Sequence, residues 1–370
     1  MHNIWDKLSK PLPAEADAEE VEPVITAKER EDLIAKLEKY EFQYLAEGRA
    51  NVVFTIKDVQ DPAAPNGLFA GTLVRVPKAT PGVTPCDYET LQNFHEKLVE
   101  VHVGREHIVP QLLVKISEGI ASTLNAKRGH RDDDGSVIRA GYAMLIQDMS
   151  PSPGDHLALE FKPKWLAQSP LAPADATRCR TCAREAFRNG QKQAQGKTIS
   201  TPICPLGLRH ANRAVVMSTM DRLAPKWSER DRERLADALR ESGVLERLRA
   251  LQMRGDPDRA LFADPGNAYF GLAMTLRDCS CFVRMPVDEK AGEPVVVKLA
   301  DVDKKNWEEK QTYWQDSHNN LVDNGWYTGE EKVDGPPIET ACVLRLDYCL
   351  ENGMVDDVPA PFRERLGHRF

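Results

Sequence analysis

The sequence lacks any run of about 20 consecutive apolar residues, the length that a membrane-spanning helix needs. It also lacks the basic and apolar regions of a signal peptide, because it begins Met-His-Asn-Ile-Trp-Asp. An excess of positive charge is absent as well, since the formal net charge is -8 at pH 7. Coating nucleic acid or an acidic membrane requires a broad basic surface. We therefore expect a protein of the cytoplasm or nucleus that binds neither membranes nor nucleic acid. We also expect it to be a monomer.

Structural disulfide bonds are not expected either, because such compartments are reducing. The eight cysteines of the sequence are then free thiols or metal ligands. Cys179-Arg-Thr-Cys182 has the spacing of a zinc knuckle, and Cys204 with His210 are suited to complete a set of four zinc ligands. The alternative is that these cysteines are ordinary buried thiols.

The chain is long enough for two lobes, because 370 residues with 41% hydrophobic residues can bury a sizeable core. Residues 1–24 are rich in Pro, Ala, Asp and Glu without apolar periodicity, which predicts a mobile acidic leader. Residues 25–150 mix helical and strand-like segments, whereas residues 151–370 are more helical. The sequence therefore predicts an α+β fold with a small mixed α/β N-lobe and a larger C-lobe.

Hydrophobic periodicity locates several elements within these lobes. Thr26 and Glu29 have the spacing of a capping box at the start of a helix. The predicted helices span residues 27–40, 229–252 and 305–322. Strand-like segments, rich in β-branched and aromatic residues, span residues 42–57, 68–77, 141–148, 271–284 and 294–302.

Two segments of the N-lobe are suited to the phosphates of a nucleotide. Glu47-Gly-Arg-Ala-Asn-Val-Val53 lies between two strands, where a small turn lets backbone N–H groups approach a phosphate. An ordinary hairpin turn is the alternative. Arg75 and Lys78 follow at the end of the next strand, and a cation there can neutralise phosphate charge. A solvated strand end is the alternative for these two residues.

The C-lobe contains three segments with the residue types of phosphoryl transfer. In Glu160-Phe-Lys-Pro-Lys164 the proline stiffens the chain between two ammonium groups, which suits a polyanion, although ordinary surface loops also contain such segments. Asp278 precedes a strand-like segment and is a candidate general base. Asp301 and Asp303 end the next strand and offer oxygen ligands to Mg²⁺.

Taken in order, these segments resemble the inositol-pentakisphosphate 2-kinase family. Its members carry a Glu-Gly-x-Ala-Asn loop, an Arg-x-x-Lys strand, a Glu-x-Lys-Pro-Lys segment, an Asp-Cys-Ser segment, and a late Asp-rich strand followed by a helix with lysine and tyrosine. The resemblance spans roughly residues 40–325. It implies a two-lobed fold similar to that of protein kinases, with ATP between the lobes.

The resemblance also implies roles for individual residues. Asp278 and Lys162 would be catalytic, with Asp278 deprotonating the 2-hydroxyl of the substrate, and Asp301 would hold Mg²⁺. The residues that would contact ATP are Gly48, Ala50, Asn51, Val53, Arg75, Gln147, Asp148 and Glu160. The residues that would bind substrate phosphates are Lys162, Lys164, Lys305 and Tyr313.

The sequence departs from the family pattern at two places. A Cys204-Pro-Leu motif is present, but no Asn-Asn-x-Arg substrate segment follows it. The nearby substitutes are His210, Asn212 and Arg213. In the last predicted helix, Glu308 and Glu309 stand where a basic residue is expected.

Three functions are compatible with parts of this pattern. The first is an ATP-dependent kinase that uses Mg²⁺ to convert inositol 1,3,4,5,6-pentakisphosphate into the hexakisphosphate. The second is a non-catalytic scaffold of the same fold that binds inositol polyphosphates. The third is RNA binding through the Cys-x-x-Cys segment and the arginines of residues 178–188, which the net charge and the lack of interleaved aromatic residues disfavour.

Overall fold

The computed structural model describes residues 4–12, 24–48, 50–57, 69–79, 88–129, 135–150, 154–255, 267–288, 292–305, 307–333 and 335–367. The chain forms two compact units, Met1–Pro151 and Ser152–Phe370. Their boundary lies one residue from the boundary that the sequence predicts between the two lobes. Residues 13–23 of the predicted leader and the side chains of Glu308 and Glu309 lie outside the described residues.

The first unit is a mixed α/β structure built on one antiparallel sheet. Its strands are β1 (Glu41–Glu47), β2 (Asn51–Lys57), β3 (Thr72–Pro77), β4 (Gln111–Ile116) and β5 (Gly141–Gln147). They are hydrogen-bonded in the order β1-β2-β3-β5-β4. Its helices are α1 (Ile4–Leu8), α2 (Ala27–Leu37), α3 (Tyr88–Asn93), α4 (Glu100–Val103) and α5 (Glu118–Arg128), with a π-helical segment, Phe94–Val99, between α3 and α4.

One face of this sheet is buried, because apolar side chains alternate along its strands. In β2 and β3 the side chains of Val52, Phe54 and Val74 are completely buried. They belong to the same core as Leu37 of α2 and Leu124 of α5. The side chains between them in sequence, which include Val53 and Arg75 of the predicted nucleotide-binding residues, therefore lie on the opposite, less buried face of the sheet.

The start of the chain differs from the predicted mobile leader. Residues 4–8 form α1, and the side chains of Trp5 and Leu8 are buried in the core of the first unit. The indole Nε1–H of Trp5 donates to Thr72 Oγ1 at 3.2 Å. The prediction is wrong for this segment because a single Trp and Leu give no periodic signal, yet one buried aromatic side chain can dock a short helix.

Helix α2 begins where the sequence predicts. Thr26 Oγ1 accepts from the Glu29 backbone N–H at 3.2 Å, and Glu29 Oε2 accepts from the Thr26 N–H at 2.9 Å, which completes the capping box. The helix ends at Leu37 rather than at Tyr40, because the ring of Tyr40 packs edge-on against Phe69 and β1 starts directly after it.

The second unit is larger and mostly helical. Its three strands, β6 (His156–Phe161), β7 (Ser280–Pro286) and β8 (Val296–Ala300), form an antiparallel sheet in that order. Its helices are α6 (Arg180–Ala194), α7 (Arg213–Leu223), α8 (Glu229–Glu241), α9 (Val244–Arg254), α10 (Ala268–Leu276), α11 (Trp307–Asp323), α12 (Val343–Glu351) and α13 (Ala360–Leu366). Among the described helices none is both long and apolar enough to span a bilayer. The two units together confirm the α+β class.

Two predictions for the second unit are corrected by the structure. The helix predicted over residues 229–252 is two helices, α8 and α9, because Gly243 adopts a left-handed φ of 67° and breaks the hydrogen-bond ladder. The strand predicted over residues 271–284 is α10 followed by β7. Helix α10 is apolar on nearly all sides and is capped by Asn267, whose side chain accepts from the Tyr269 and Phe270 N–H groups. A helix of almost uniformly apolar residues has no period that separates it from a buried strand.

Candidate active site

The sheet of the second unit brings three strand ends to one edge. Strand β6 ends where β7 begins, because Phe161 pairs with Cys281, and β8 ends beside them, because Ser280 pairs with Ala300. The residues that follow β6, precede β7 and follow β8 are therefore neighbours in space. These are the three segments in which the sequence predicts a lysine pair, a general base and a metal ligand.

The predicted residues meet at this edge in a network of ion pairs. Lys164 Nζ lies 2.7 Å from Asp278 Oδ1, and Lys305 Nζ lies 3.7 Å from Asp278 Oδ2. Lys162 Nζ lies 3.1 Å from Asp301 Oδ2 and 3.8 Å from Asp278 Oδ1, and it also donates to the Asp278 carbonyl at 2.8 Å. We call these five residues the Lys–Asp cluster. Three cations surround a single carboxylate, so the cluster has the charge distribution needed to receive an anionic ligand.

Backbone strain is concentrated in the same cluster. Lys164 has a φ of 57° and Asp301 has a φ of 55°, and both lie in the left-handed region that side chains with a Cβ disfavour. Among the described residues they are the two non-glycine residues with positive φ. Each such conformation costs on the order of 1–3 kcal/mol and is typical of functional sites. The strain therefore supports a functional role for this edge, independently of residue type.

The ion pairs of the cluster keep the Asp278 carboxylate negatively charged and the Lys162 ammonium group positively charged. Burial alone would raise the pKa of Asp278, but the hydrogen bond and charge of Lys164, with the charges of Lys162 and Lys305, lower it below the ordinary value of 3.8. Burial likewise opposes the charge of Lys162, yet Asp301 and Asp278 raise the pKa of this ammonium group. Because the pKa of Asp278 is lowered, its carboxylate is ionised throughout the neutral pH range and can accept a proton.

A buried amide, Gln252 of α9, holds two of the cluster's loops. Its Nε2 donates to the carbonyls of Lys164 at 2.8 Å and Leu276 at 3.0 Å, and its Oε1 accepts from the Leu166 N–H at 2.8 Å. The side chain is only 2% exposed. Gln252 thus joins the loop after β6 to the loop before β7. Sequence reasoning missed it, because a single glutamine in an amphipathic helix carries no signal of burial.

Replacing Gln252 with methionine should lower the free energy of unfolding by about 3 kcal/mol or more. Methionine preserves the shape but leaves three backbone groups without this partner, and each unsatisfied buried group costs about 1–3 kcal/mol. Denaturant-induced unfolding measures the change. Gln191→Met, at an exposed position of α6, is the matched control and should change stability by less than about 0.5 kcal/mol. Equal stability of Gln252→Met and the wild type would show that Gln252 does not brace the loops.

The remaining predicted residues of the C-lobe lie in α11, in β6 and in the segment after β8. Tyr313 lies in α11, is 55% exposed, and its hydroxyl oxygen accepts from Arg184 Nη2 at 2.9 Å. Asp303 lies two residues beyond Asp301, and its backbone carbonyl accepts from Thr275 Oγ1 at 3.2 Å. Glu160 is exposed in β6 and pairs with Phe282 of β7. Carboxylate oxygens are the ligands that Mg²⁺ prefers. Asp301 and Asp303, two residues apart after β8, therefore have the ligand type that this ion requires.

The nearby substitutes for the missing substrate segment are occupied by other contacts. Arg213 Nη1 lies 2.9 Å from Asp237 Oδ1, and His210 Nε2 lies 3.4 Å from Asp347 Oδ1. The side chain of Asn212 caps α7 by accepting from the Ala214 N–H at 2.9 Å. These contacts give all three residues structural roles, so they are weak candidates for replacing an Asn-Asn-x-Arg segment.

In the first unit, the predicted nucleotide residues lie along β3 and its neighbours. Gly48 N–H donates to the Asn51 carbonyl at 2.9 Å and closes the turn between β1 and β2. Val53 pairs with Arg75, and Arg75 pairs in turn with Met144 of β5. Gln147 pairs with Thr72 at the other end of β3. The turn and Gln147 therefore lie at opposite ends of a six-residue strand, about 17 Å apart at 3.4 Å per residue.

Two further predicted residues are held by backbone hydrogen bonds at the ends of these strands. Ala50 accepts from the Lys78 N–H at 2.8 Å, and the Asp148 N–H donates to the Gly71 carbonyl at 2.8 Å. The sequence suggests Lys78 as a cation for phosphates, but its side chain is not available for them. Its Nζ is 3.1 Å from Glu47 Oε1, both side chains are buried, and Arg128 Nε reaches the same carboxylate at 2.7 Å. This buried ion pair braces the turn instead.

Four cysteine side chains converge in the second unit. Cys179, Cys182, Cys204 and Cys342 have their sulfur atoms all within 4.8 Å of one another, and all four are buried. The predicted fourth ligand, His210, is therefore wrong: it pairs with Asp347, and Cys342 takes its place. The sequence signal was weak because Cys342 lies far along the chain from the other three and has no ligand-like spacing to them.

The geometry of this cysteine cluster fits a tetrahedral metal. Cys204 Sγ lies 3.8 Å from both Cys179 Sγ and Cys342 Sγ. Zinc–sulfur bonds of about 2.3 Å place tetrahedral sulfur ligands roughly 3.8 Å apart. Cys179, Cys204 and Cys342 each stand at the N-cap of a helix, and the Cys179 N–H donates to Cys342 Sγ at 3.1 Å. Helix N-termini and N–H donors favour the thiolates that a metal requires.

The comparisons with known proteins agree with the sequence motifs. A sequence model of a family described as inositol-pentakisphosphate 2-kinase matches residues 44–320, which is more than half of the chain. A curated protein of Yarrowia lipolytica (strain CLIB 122 / E 150), named inositol-pentakisphosphate 2-kinase, is 32% identical over 189 residues. This similarity covers 50% of the present chain and 56% of that protein, so the chain spans about half the length of the relative it matches.

Proposed function

The chain belongs to the inositol-pentakisphosphate 2-kinase family, and we propose that it transfers the γ-phosphate of ATP to the 2-hydroxyl of inositol 1,3,4,5,6-pentakisphosphate. The observation that carries this proposal is the Lys–Asp cluster. It places a candidate base, Asp278, within 4 Å of three ammonium groups, with the candidate metal ligand Asp301 beside it. Phosphoryl transfer to a hydroxyl of a polyanion requires this combination of a base and cations.

Substrate binding redistributes the contacts of the lysines. Without substrate, Lys164 and Lys305 stabilise the Asp278 carboxylate. An inositol polyphosphate brings several negative charges to the same ammonium groups, so part of their attraction to Asp278 is lost. Negative charge near a carboxylate also raises its pKa. Asp278 therefore becomes a stronger base at the moment when the substrate hydroxyl arrives.

The transfer step then follows from the positions of these groups. The Asp278 carboxylate accepts the proton of the 2-hydroxyl, whose oxygen forms a bond to the γ-phosphorus. The bond from this phosphorus to the β–γ bridging oxygen breaks, and its electron pair leaves with ADP. Lys162, held by Asp301 and by the Asp278 carbonyl, stabilises the negative charge of the transferred group.

Two cofactors are part of this proposal. Asp301 and Asp303 would hold Mg²⁺, which when bound neutralises charge on the β- and γ-phosphates. On the first unit, the turn closed by Gly48 and the half-exposed side chain of Arg75 would contact the phosphates of ATP. Gln147 and Asp148, at the opposite end of β3, would then contact the nucleoside.

We also propose that Cys179, Cys182, Cys204 and Cys342 bind a structural Zn²⁺ ion. A complete set of four thiolates leaves no open coordination position, which is the pattern of a structural rather than a catalytic zinc. The ion would join the start of α6, the segment before α7 and the start of α12. It would thus fix the C-terminal helices of the second unit to the helix that carries Arg184.

The activity is tested by incubating the purified protein with ATP, Mg²⁺ and inositol 1,3,4,5,6-pentakisphosphate and resolving the products by anion-exchange chromatography. Formation of the hexakisphosphate in equal amount with ADP supports the proposal. The second candidate, a non-catalytic inositol-polyphosphate scaffold, is favoured by one observation: His210, Asn212 and Arg213 all have structural partners. Binding without product would support this second function.

Replacing Lys164 with alanine should raise the KM for inositol pentakisphosphate at least about tenfold, because a charge-assisted contact contributes about 1.5–3 kcal/mol. The KM for ATP should stay nearly constant. Steady-state kinetics at two ionic strengths measure both constants, and salt should weaken substrate binding less in the variant, since one screened contact is already absent. Lys226→Ala, an exposed lysine of the same unit, is the control. An equal rise in both KM values would contradict the substrate assignment.

A further inference from the structure

Helix α6 carries two arginines beside the Lys–Asp cluster that have no place in the proposed transfer step. Arg180 and Arg184 are separated by one helical turn and lie on the same side of the helix. Arg184 Nη2 donates to the hydroxyl oxygen of Tyr313 in α11 at 2.9 Å. The side chain of Tyr313 is 55% exposed, so this pair is open to a ligand.

Arg180 is a buried cation that lacks a counter-charge among the described side chains. It is 7% exposed, and its Nη1 has no hydrogen-bond partner. The guanidinium of Arg184, one helical turn away, adds a second positive charge on the same side of the helix. A buried, unpaired charge is costly, and two like charges one turn apart add to the cost. An anion bound between them would relieve both effects.

An aromatic ring connects Arg180 to the candidate active site. Trp165 directly follows Lys164 of the Lys–Asp cluster. Arg180 Cζ lies 5.7 Å from the centroid of the Trp165 ring, and Arg277 Cζ lies 3.7 Å from it. Arg277 directly precedes Asp278. The Trp165 ring therefore lies within cation–π distance of both Arg180 and Arg277, which links Arg180 to the predicted catalytic loops.

We propose that Arg180 and Arg184, with the hydroxyl of Tyr313, form a phosphate subsite that binds one phosphate group of an inositol polyphosphate beside the Lys–Asp cluster. This inference rests on the proposed function, because it assigns further ligand contacts to the same site. Guanidinium groups suit this role, since they bind phosphate oxygens through paired N–H donors and remain charged when buried. The subsite would determine which phosphates the ligand must carry.

The test is isothermal titration calorimetry of the full chain with inositol 1,3,4,5,6-pentakisphosphate as the probe, without ATP. Arg184→Ala should raise Kd at least about tenfold, Arg184→Lys should raise it less, and Tyr313→Phe should raise it a few-fold. Arg240→Ala, which removes an exposed arginine of α8, is the charge-matched control and should stay within about twofold. At the buried position 180 the variant is Arg180→Lys rather than Arg180→Ala. Circular dichroism confirms that each variant is folded.

A panel of inositol tetrakisphosphates then identifies the phosphate that is bound. For the wild type, removal of any contacted phosphate weakens binding. In Arg184→Ala, removal of the phosphate that Arg184 contacts should cause little further loss, because the two changes delete the same interaction. A loss in Arg184→Ala that is the same for every tetrakisphosphate, or equal to the loss in Arg240→Ala, would instead be a general charge effect and would overturn the subsite.

The outcomes also separate this subsite from the proposed function. Product formation with unchanged binding in Arg184→Ala supports the kinase and overturns the subsite. Binding that depends on Arg184, without product, supports the subsite and overturns the transferase. No binding of the probe by the wild type overturns both proposals.

Discussion

Replacing Asp278 with asparagine should lower kcat at least about 100-fold, because removal of a positioned general base costs about 10²–10⁴ in rate. Asparagine has nearly the same shape but cannot accept the proton of the 2-hydroxyl at neutral pH. The wild-type carboxylate can, since the lysines hold the pKa of Asp278 below its ordinary value and keep it ionised. Single-turnover kinetics with inositol pentakisphosphate measure the loss at the chemical step.

The same substitution should not weaken the binding of substrate. In the wild type, Lys162, Lys164 and Lys305 all lie within 4 Å of the Asp278 carboxylate. Asparagine removes the negative charge that competes with substrate phosphates for these ammonium groups. We therefore expect the Kd for inositol pentakisphosphate to stay constant or fall, while the Kd for ATP is unchanged. This combination of slower chemistry and undiminished affinity is difficult to obtain from a general loss of structure.

Asp175→Asn is the matched control, because it makes the same chemical change at an exposed loop position of the same unit. It should leave kcat within about twofold of the wild type, as surface substitutions away from a site do. If Asp278→Asn retains most of its turnover, or loses affinity for ATP instead, Asp278 is not the base and the proton acceptor lies elsewhere in the site.

The residue types of this candidate site could be predicted from the sequence, but their meeting in space could not. Lys162, Asp278 and Asp301 each adjoin a strand of one antiparallel sheet, yet β6 is not among the strands predicted from the sequence, and Asp278 falls within the segment predicted as one strand over residues 271–284. The motifs are local: a lysine pair around a proline, and an acid before a strand, are visible in a few consecutive residues. Chemistry that depends on short segments is the part that a sequence reveals.

The parts that the sequence did not reveal depend on contacts between distant segments. Gln252 braces the loops through backbone groups 24 and 88 residues away, and no local pattern marks it. Cys342 lies 138 residues beyond Cys204, so its place in the cysteine cluster could not be read from spacing. Helix α10 was predicted as part of a strand for another reason, since its almost uniformly apolar sequence lacks the periodicity on which the assignment depends.

Replacing Cys342 with serine should abolish metal binding and destabilise the second unit. The wild type should contain about one zinc per chain, because four thiolates at tetrahedral spacing form a complete structural site. Loss of a structural metal belongs to the changes that cost more than about 4 kcal/mol. At about 2–4 °C per kcal/mol for a domain of 150–250 residues, the Tm should fall by about 8–16 °C. Elemental analysis and calorimetry measure the two effects.

Cys349→Ser is a matched control because it makes the same change at a buried cysteine of α12, the helix that Cys342 caps, outside the cluster. Cys349 Sγ donates to the Asp357 carbonyl at 3.4 Å, and a serine hydroxyl can make a similar bond. This variant should retain zinc and lose less stability than Cys342→Ser. Zinc in equal amounts in both variants, or its absence from the wild type purified without chelators, would contradict the zinc site. The four cysteines would then be buried thiols, and the sulfur spacing would reflect packing alone.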